Sequence, residues 1–420
     1  MSDHVGGGGW VTRRTGLVPS VDLLTDTLVA HFANVSVSRS RPSPATDSSP
    51  ASSDGRGHTT GAEKMTKLFE ETTVGTVKAA SRIAMAPMTR SRATREGHAT
   101  ELMAEYYSQR STAALIITEG IQPSAAGQGY TNTPGLHSAE QVESWKPVVK
   151  AAQSNGAAFF AQVMHTGRIS HPDIAGFEPV APSAVRPEGQ TFTYTGMQDY
   201  VTPRELTHDE IVEIIQDHVT AARNAVAAGF DGIEIHGANG YLTQQFLSVS
   251  VNQRTDEWGG SVQGRIKFAV EVVRAVAEAI GPERTALRIS PANSLQGIEE
   301  GDSRELYLAL LAELRDLPLA YLHIMEVPGT RELTKELRAA WPHTLVLNPH
   351  RDAERRQPHE AANDALEEVG ADLVAFGSSY LANPDLPARL AAEGPYQTPD
   401  PATFYGGDHT GYVDYPTLKD

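Results

Sequence analysis

Eight short runs rich in β-branched and other apolar residues recur along this chain, at 82–86, 114–118, 158–164, 232–236, 286–290, 320–325, 344–347 and 372–376. Most are followed by a loop and then by a segment of helical period. Strands that lie parallel to their predecessors need long crossovers, and helices usually supply them. Eight such units in about 350 residues predict an α/β fold, a TIM (β/α)8 barrel with loop insertions, over an open doubly wound sheet. No Gly-x-Gly-x-x-Gly follows the first run, which disfavours a Rossmann dinucleotide site. The clearest expected helix opens at a Thr207/Glu210 capping box, places Ile211, Ile214, Ile215 and Val219 on one face and stops at Gly229. Others are expected at 138–155, 264–280, 303–314, 331–341 and 361–369.

The first 64 residues read differently. A glycine run, Gly6 to Gly9, precedes a Ser/Pro/Asp/Gly-rich stretch too poor in large apolar residues to offset the entropy of ordering. The expectation is a disordered leader over 1–64 and one catalytic domain over 65–420. Asp3, Asp22 and Asp26 interrupt any targeting pattern, so a cytoplasmic location is the default. The net charge of −17 disfavours nucleic acid and anionic membranes, which attract positive surfaces. No apolar run approaches the roughly 20 residues that span a bilayer. With no cysteine, there is no thiol nucleophile, iron–sulfur cluster or Cys-ligated zinc. Redox chemistry must therefore belong to a bound cofactor, and no metal site is expected.

Alternate residues of a barrel strand face the interior, and polar residues near its C-terminal end are where this fold keeps its chemistry. In 232–241, Ile233 and Ile235 take outward positions while Glu234 and His236 point inward, with Asn239 and Tyr241 just beyond on the rim. His236 and Asn239 can aim two donors at one oxygen; a satisfied interior histidine is the plainer reading. Arg288 falls inside the barrel, where an unpaired charge costs several kcal/mol. Its partner is either a carboxylate such as Glu234 or an electron-rich cofactor. Gln162 shares a face with Phe160 and Met164 and suits an imide edge.

These residues carry a resemblance. From about Leu68 to Leu418 the chain resembles the old yellow enzyme family of FMN-dependent ene-reductases. The matching stretches are Ala86-Pro-Met-Thr-Arg90, Leu102-Met-Ala-Glu-Tyr-Tyr107, Ile116-Ile-Thr-Glu-Gly120, His165-Thr-Gly-Arg168, His236-Gly-Ala-Asn-Gly-Tyr241, 252–261, Asn383-Pro-Asp-Leu386, Phe404-Tyr-Gly-Gly407 and 411–418. The resemblance implies that Ala86, Pro87 and Met88 line the flavin and that Thr89 donates to the carbonyl beside its reactive nitrogen, as in a Thr-type branch. It also implies that Gly120, Gln162 and Arg288 grip the pyrimidine edge. His236 and Asn239 would bind the carbonyl oxygen of an enone, Tyr241 would deliver a proton, and Tyr130, Met164 and Tyr405 would shape the substrate side. The implied reductant is NAD(P)H, the implied substrate a small α,β-unsaturated carbonyl compound, and the implied assembly a monomer or homodimer.

Departures cluster where TIM barrels cradle phosphate, after the seventh and eighth strands. The family has a glycine-bearing segment after the seventh; here Leu347-Asn-Pro-His350 stands, and Pro349 offers no N–H. The family has a Gly-Arg pair after the eighth; here Gly377-Ser378 stands. Losing that arginine removes about 1.5 to 3 kcal/mol, a weakening of FMN by about tenfold to a hundredfold. His350, Arg351, Arg355 or the hydroxyls of Ser378 and Ser379 could compensate, although 350–356 reads more simply as a solvated charge run. Val163-Met164 replaces the common Leu-Trp, which alters the pocket. Two alternatives stand beside the ene-reductase reading. One is a barrel with weakened or altered flavin binding that acts as a non-redox isomerase or cyclase or takes another flavin-type cofactor; the other is a silent binding barrel.

Overall fold

The protein is described here by a computed structural model covering residues 67–350 and 357–419. The expected leader, and Arg351 and Arg355, lie outside the described residues.

Eight parallel strands close into a barrel. They are β1 (Ile83–Met85), β2 (Leu115–Ile117), β3 (Ala158–Val163), β4 (Gly232–Gly237), β5 (Thr285–Ile289), β6 (Tyr321–Met325), β7 (Leu345–Asn348) and β8 (Leu373–Phe376). Each pairs with its sequence neighbour, and β8 closes on β1 through Val374–Ile83 and Phe376–Met85. The helices that follow them in turn are α1 (Glu101–Ser108), α2 (Ala139–Ala152), α3 (His208–Ala228), α4 (Val262–Ile280), α5 (Ser303–Leu314), α6 (Arg331–Ala340), α7 (Pro358–Asp364) and α8 (Leu386–Ala391). The TIM-barrel expectation holds, and every expected strand is present within one or two residues.

Side-chain period decides which face goes where. Ile233, Ile235, Leu287, Ile289, Leu322 and Ile324 pack outward against helix residues such as Ile211, Ile215, Phe268 and Leu310. Ala84, Leu115, Ile117, Phe160, Ala286, Tyr321, Val346 and Leu373 fill the interior. α3 begins as expected: Thr207 Oγ1 accepts from Glu210 N at 3.3 Å, and Glu210 Oε2 accepts from Thr207 N at 2.9 Å. It ends at Gly229, whose φ of 101° is left-handed. The expected helix at 361–369 divides into α7 and a π turn over Ala365–Val369.

A hairpin of Thr72–Val74 and Val77–Ala79 lies ahead of β1, and its Val74 and Ala79 join the interior cluster, plugging the barrel floor. Its turn needs glycine at 75: φ is +56°, and a Cβ there would stand 2.3 Å from the carbonyl oxygen of Glu283. A second hairpin, Gln190–Thr193 with Gly196–Asp199, occupies the long connection between β3 and α3. No helix among the described residues is long and apolar enough to cross a membrane.

Candidate active site

The polar interior residues expected from period-2 reading meet in one layer near the C-terminal ends of the strands. Strand register sets Glu234 beside Gln162, His236 beside Arg288, and Arg288 beside His323. Glu234 accepts from Gln162 Nε2 at 2.8 Å, and its other oxygen pairs with His323 Nδ1 at 2.8 Å. Gln162 therefore keeps its carbonyl oxygen as the edge able to meet an imide N–H. Arg288 is fully buried and donates from Nη2 to Asn348 Oδ1 at 3.3 Å. Asn348 is held in that sense because its own Nδ2 donates to the Ala375 carbonyl at 3.0 Å.

His236 closes β4. Its Nδ1 accepts from the Ala238 backbone N–H at 3.2 Å, so the proton of the neutral ring sits on Nε2. Burial, reinforced by Arg288 and His323 nearby, pushes its pKa well below the ordinary value. The ring is thus a neutral Nε2–H donor. Three residues on, Asn239 adopts φ +55°, a left-handed conformation that asparagine tolerates. Its Oδ1 accepts from Asn293 Nδ2 at 2.9 Å.

Tyr241 caps the short helix Leu242–Leu247 and is 1% exposed. Its ring stands edge-on to His236, with centroids 4.9 Å apart. Its hydroxyl lies 2.8 Å from that of Tyr130. Burial, with the neighbouring phenols of Tyr241, Tyr200 and Tyr405, pushes Tyr130 well above the usual tyrosine range, so Tyr130 keeps its proton. Tyr130, Met164, Tyr241, Ile169 and Tyr200 form one apolar cluster. Met164 also explains the glycine at 120, because a Cβ there would meet its Cε at 2.4 Å. Tyr405 is half-buried. Its segment is tied to β1's loop by Arg90, whose Nε donates to Phe404 O at 2.9 Å and whose carbonyl accepts from Gly406 N at 2.9 Å.

On the opposite side of the mouth, Ala86, Pro87, Met88 and Thr89 follow β1 and are buried. Their loop is braced from β2: Glu119 Oε2 accepts from the Arg90 and Ser91 N–H groups at 3.2 and 3.1 Å. Beyond β8, Gly377 is half-buried and Ser378 is fully buried, with no hydrogen-bond partner for its Oγ. Beyond β7, the His350 N–H goes to Glu326 Oε2 at 3.1 Å. Together with Pro349, this leaves two successive backbone positions that give nothing to a phosphate.

Sequence reasoning passed over Asn293, Glu300, Glu119 and Tyr200. Asn293 and Glu300 lie in the loop after β5, where the barrel rule puts function, so their position was a usable signal. Glu119 stood inside a quoted motif. Tyr200 directly follows the unexpected hairpin and had none.

The sequence profile of the NADH:flavin oxidoreductase / NADH oxidase family matches residues 67–397. A chanoclavine-I aldehyde reductase of Penicillium roqueforti is 41% identical over 372 residues, covering 84% of this chain and 96% of that protein. 12-Oxophytodienoate reductase 1 of rice, Oryza sativa, is 39% identical over 360 residues, covering 83% and 92%. The crystal structure of an old yellow enzyme homologue from Zymomonas mobilis superposes with a TM-score of 0.79 at 39% identity, covering 84% of this chain and all of that one. The chain therefore belongs to the old yellow enzyme family, the NADH:flavin oxidoreductases that work through FMN on a TIM barrel.

Proposed function

We propose that this chain reduces the C=C bond of small α,β-unsaturated carbonyl compounds with FMN and NAD(P)H, using His236 and Asn239 to hold the carbonyl oxygen and Tyr241 to protonate the α-carbon. Three observations favour FMN at this barrel mouth. A buried guanidinium, Arg288, stands in the polar layer with the carbonyl edge of Gln162 two strands away. The buried 86–89 loop faces the same end of the barrel. The orphaned hydroxyl of Ser378 sits where TIM barrels receive phosphate. Bound there, FMN would supply hydride chemistry, with NAD(P)H as the source and the substrate's β-carbon as the destination.

The residues of the chain supply the rest. As hydride arrives, negative charge grows on the substrate oxygen, and His236 Nε2–H with the amide of Asn239 meets it. Each such preorganised donor is worth about 3 kcal/mol, or about a hundredfold or more in rate. Neutrality of His236 matters, because a buried site that already holds Arg288 resists a further cation. Tyr241 gives up its phenolic proton. Tyr130, 2.8 Å away and protonated, then donates to the oxygen left behind. Arg288 would offset negative charge on a bound flavin, and Thr89 would complete a Thr-type donor set. The phosphate grip is weaker than in relatives with an arginine at 378. A cytoplasmic monomer or homodimer completes the reading.

The observation that carries this reading is the fixed Nε2–H tautomer of His236 beside Asn239 and Tyr241. Rapid-mixing kinetics of the two half-reactions test it. Tyr241→Phe should slow alkene reduction by about a hundredfold or more while flavin reduction by NADPH stays within about twofold. Equal slowing of both would remove Tyr241 as the proton donor.

A further inference from the structure

A carboxamide can present either edge, and only one edge of Asn239 can donate to a substrate oxygen. In this chain the choice is made by a relay that starts at a backbone group, which cannot flip. The Leu295 N–H donates to Asn293 Oδ1 at 3.1 Å. That fixes the Asn293 amide, so its Nδ2 is the edge donating to Asn239 Oδ1 at 2.9 Å. With its oxygen so engaged, Asn239 has its amino group on the other edge. Both residues are buried, Asn239 fully and Asn293 to 3% exposure.

A second set of bonds fixes the backbone that carries Asn239. Its N–H donates to Ser290 Oγ at 3.0 Å. The next N–H, at Gly240, donates to Gln244 Oε1 at 2.7 Å. Gln244 is oriented in turn by Glu300, whose Oε1 accepts from Gln244 Nε2 at 2.7 Å and from Tyr307 OH at 2.5 Å. Glu300 Oε2 accepts from Ala292 N and Ser303 Oγ, each at 2.8 Å. One buried carboxylate thereby binds the loop after β4 to the loop after β5. Ala292, held at φ +61°, turns the second loop so that Asn293 faces Asn239.

We propose that Asn293 is a positioning residue that sets the polarity of Asn239, keeping its donor edge toward the substrate carbonyl through the Leu295–Asn293–Asn239 relay. This rests on the reading of Asn239 as an oxygen-binding group. The relay makes an unusual demand on size-matched variants. Asn293→Ala removes the constraint and leaves Asn239 to take either orientation. Asn293→Asp keeps the shape but presents an acceptor to Asn239. The Asn239 amide then turns its amino group to position 293 and its oxygen to the substrate, so that two acceptors confront each other.

The test is the dissociation constant of 2-cyclohexen-1-one on oxidised, FMN-loaded enzyme, measured calorimetrically without reductant at pH 8, with thermal melting to establish that each variant is folded. Asn239→Ala should weaken binding about tenfold, which checks the underlying reading. Asn293→Ala should weaken it less than Asn239→Ala, and Asn293→Asp should weaken it at least as much as Asn239→Ala. Lowering the pH should restore binding in Asn293→Asp alone, because a protonated carboxyl can again donate to Asn239 Oδ1. If Asn239→Ala weakens binding but Asn293→Asp binds as well as the unaltered enzyme, the relay is overturned and the oxygen-binding role survives. If Asn239→Ala has no effect, the oxygen-binding role itself falls.

Discussion

Glu119 is pulled in opposite directions by its surroundings. Burial raises its pKa to about 7, against an ordinary value of 4.5, while the N–H groups of Arg90 and Ser91 and the charges of Arg90 and Arg92 pull the other way and lose. The Glu119 backbone N–H donates to the Tyr107 hydroxyl oxygen at 3.0 Å, which holds the residue in place. Between about pH 4.5 and 7 the folded chain binds more protons here than the unfolded chain, so this group's contribution to stability is greatest below that window. It is lost as pH rises through the window, a change on the order of 3 kcal/mol. Glu119→Gln should flatten that slope: relative to the unaltered protein, the variant gains in melting temperature between pH 4.5 and 7.5. A melting difference that stays constant with pH would show that Glu119 does not titrate in this range. The location gives the effect a functional side, because the same carboxylate braces the loop that carries Thr89.

At the scale of elements, the ends of β7 and β8 offer few donors to a phosphate. Pro349 has no N–H, that of His350 is committed to Glu326, and Ser378 offers only a buried hydroxyl. Ser378→Arg should add a charge-assisted contact and tighten FMN by about tenfold or more, read by fluorescence titration of the apoprotein. Unchanged affinity would mean that the phosphate is held elsewhere. The eight strands were legible because each buries both faces in a distinct way, outward isoleucines and leucines against helices and inward polar residues at one end. α3 was legible from its capping box. The hairpin at 190–199 was not: its Phe192 and Met197 are 50% and 45% exposed, so apolar residues there mark no buried face. α1 and α8 are short and were read as motif stretches rather than helices. Within the site, strand period placed Gln162, Glu234, His236 and Arg288, but nothing in the sequence foretold that Glu234 would pair with Gln162 and His323. Likewise the Tyr130–Tyr241 contact joins two loops 111 residues apart, which no local pattern reports.

For the whole molecule, the two ends of the described chain meet at the active face. Arg90 and Arg92, just past β1, reach the carbonyls of Thr403, Phe404, Asp408, Thr410 and Gly411, and so tie the segment that carries Tyr405 to the loop after β1. Barrel, bracing carboxylates and C-terminal strap thus converge on one mouth, and the chemistry assigned to that mouth has a colour. The most direct measurement is the visible spectrum of the FMN-loaded protein under anaerobic conditions. Stoichiometric NADPH should bleach the flavin band, and one equivalent of 2-cyclohexen-1-one should bring it back with formation of the saturated ketone. A protein that stays colourless in excess FMN, or one whose bleached band persists after the enone is added, would contradict assignment as an ene-reductase.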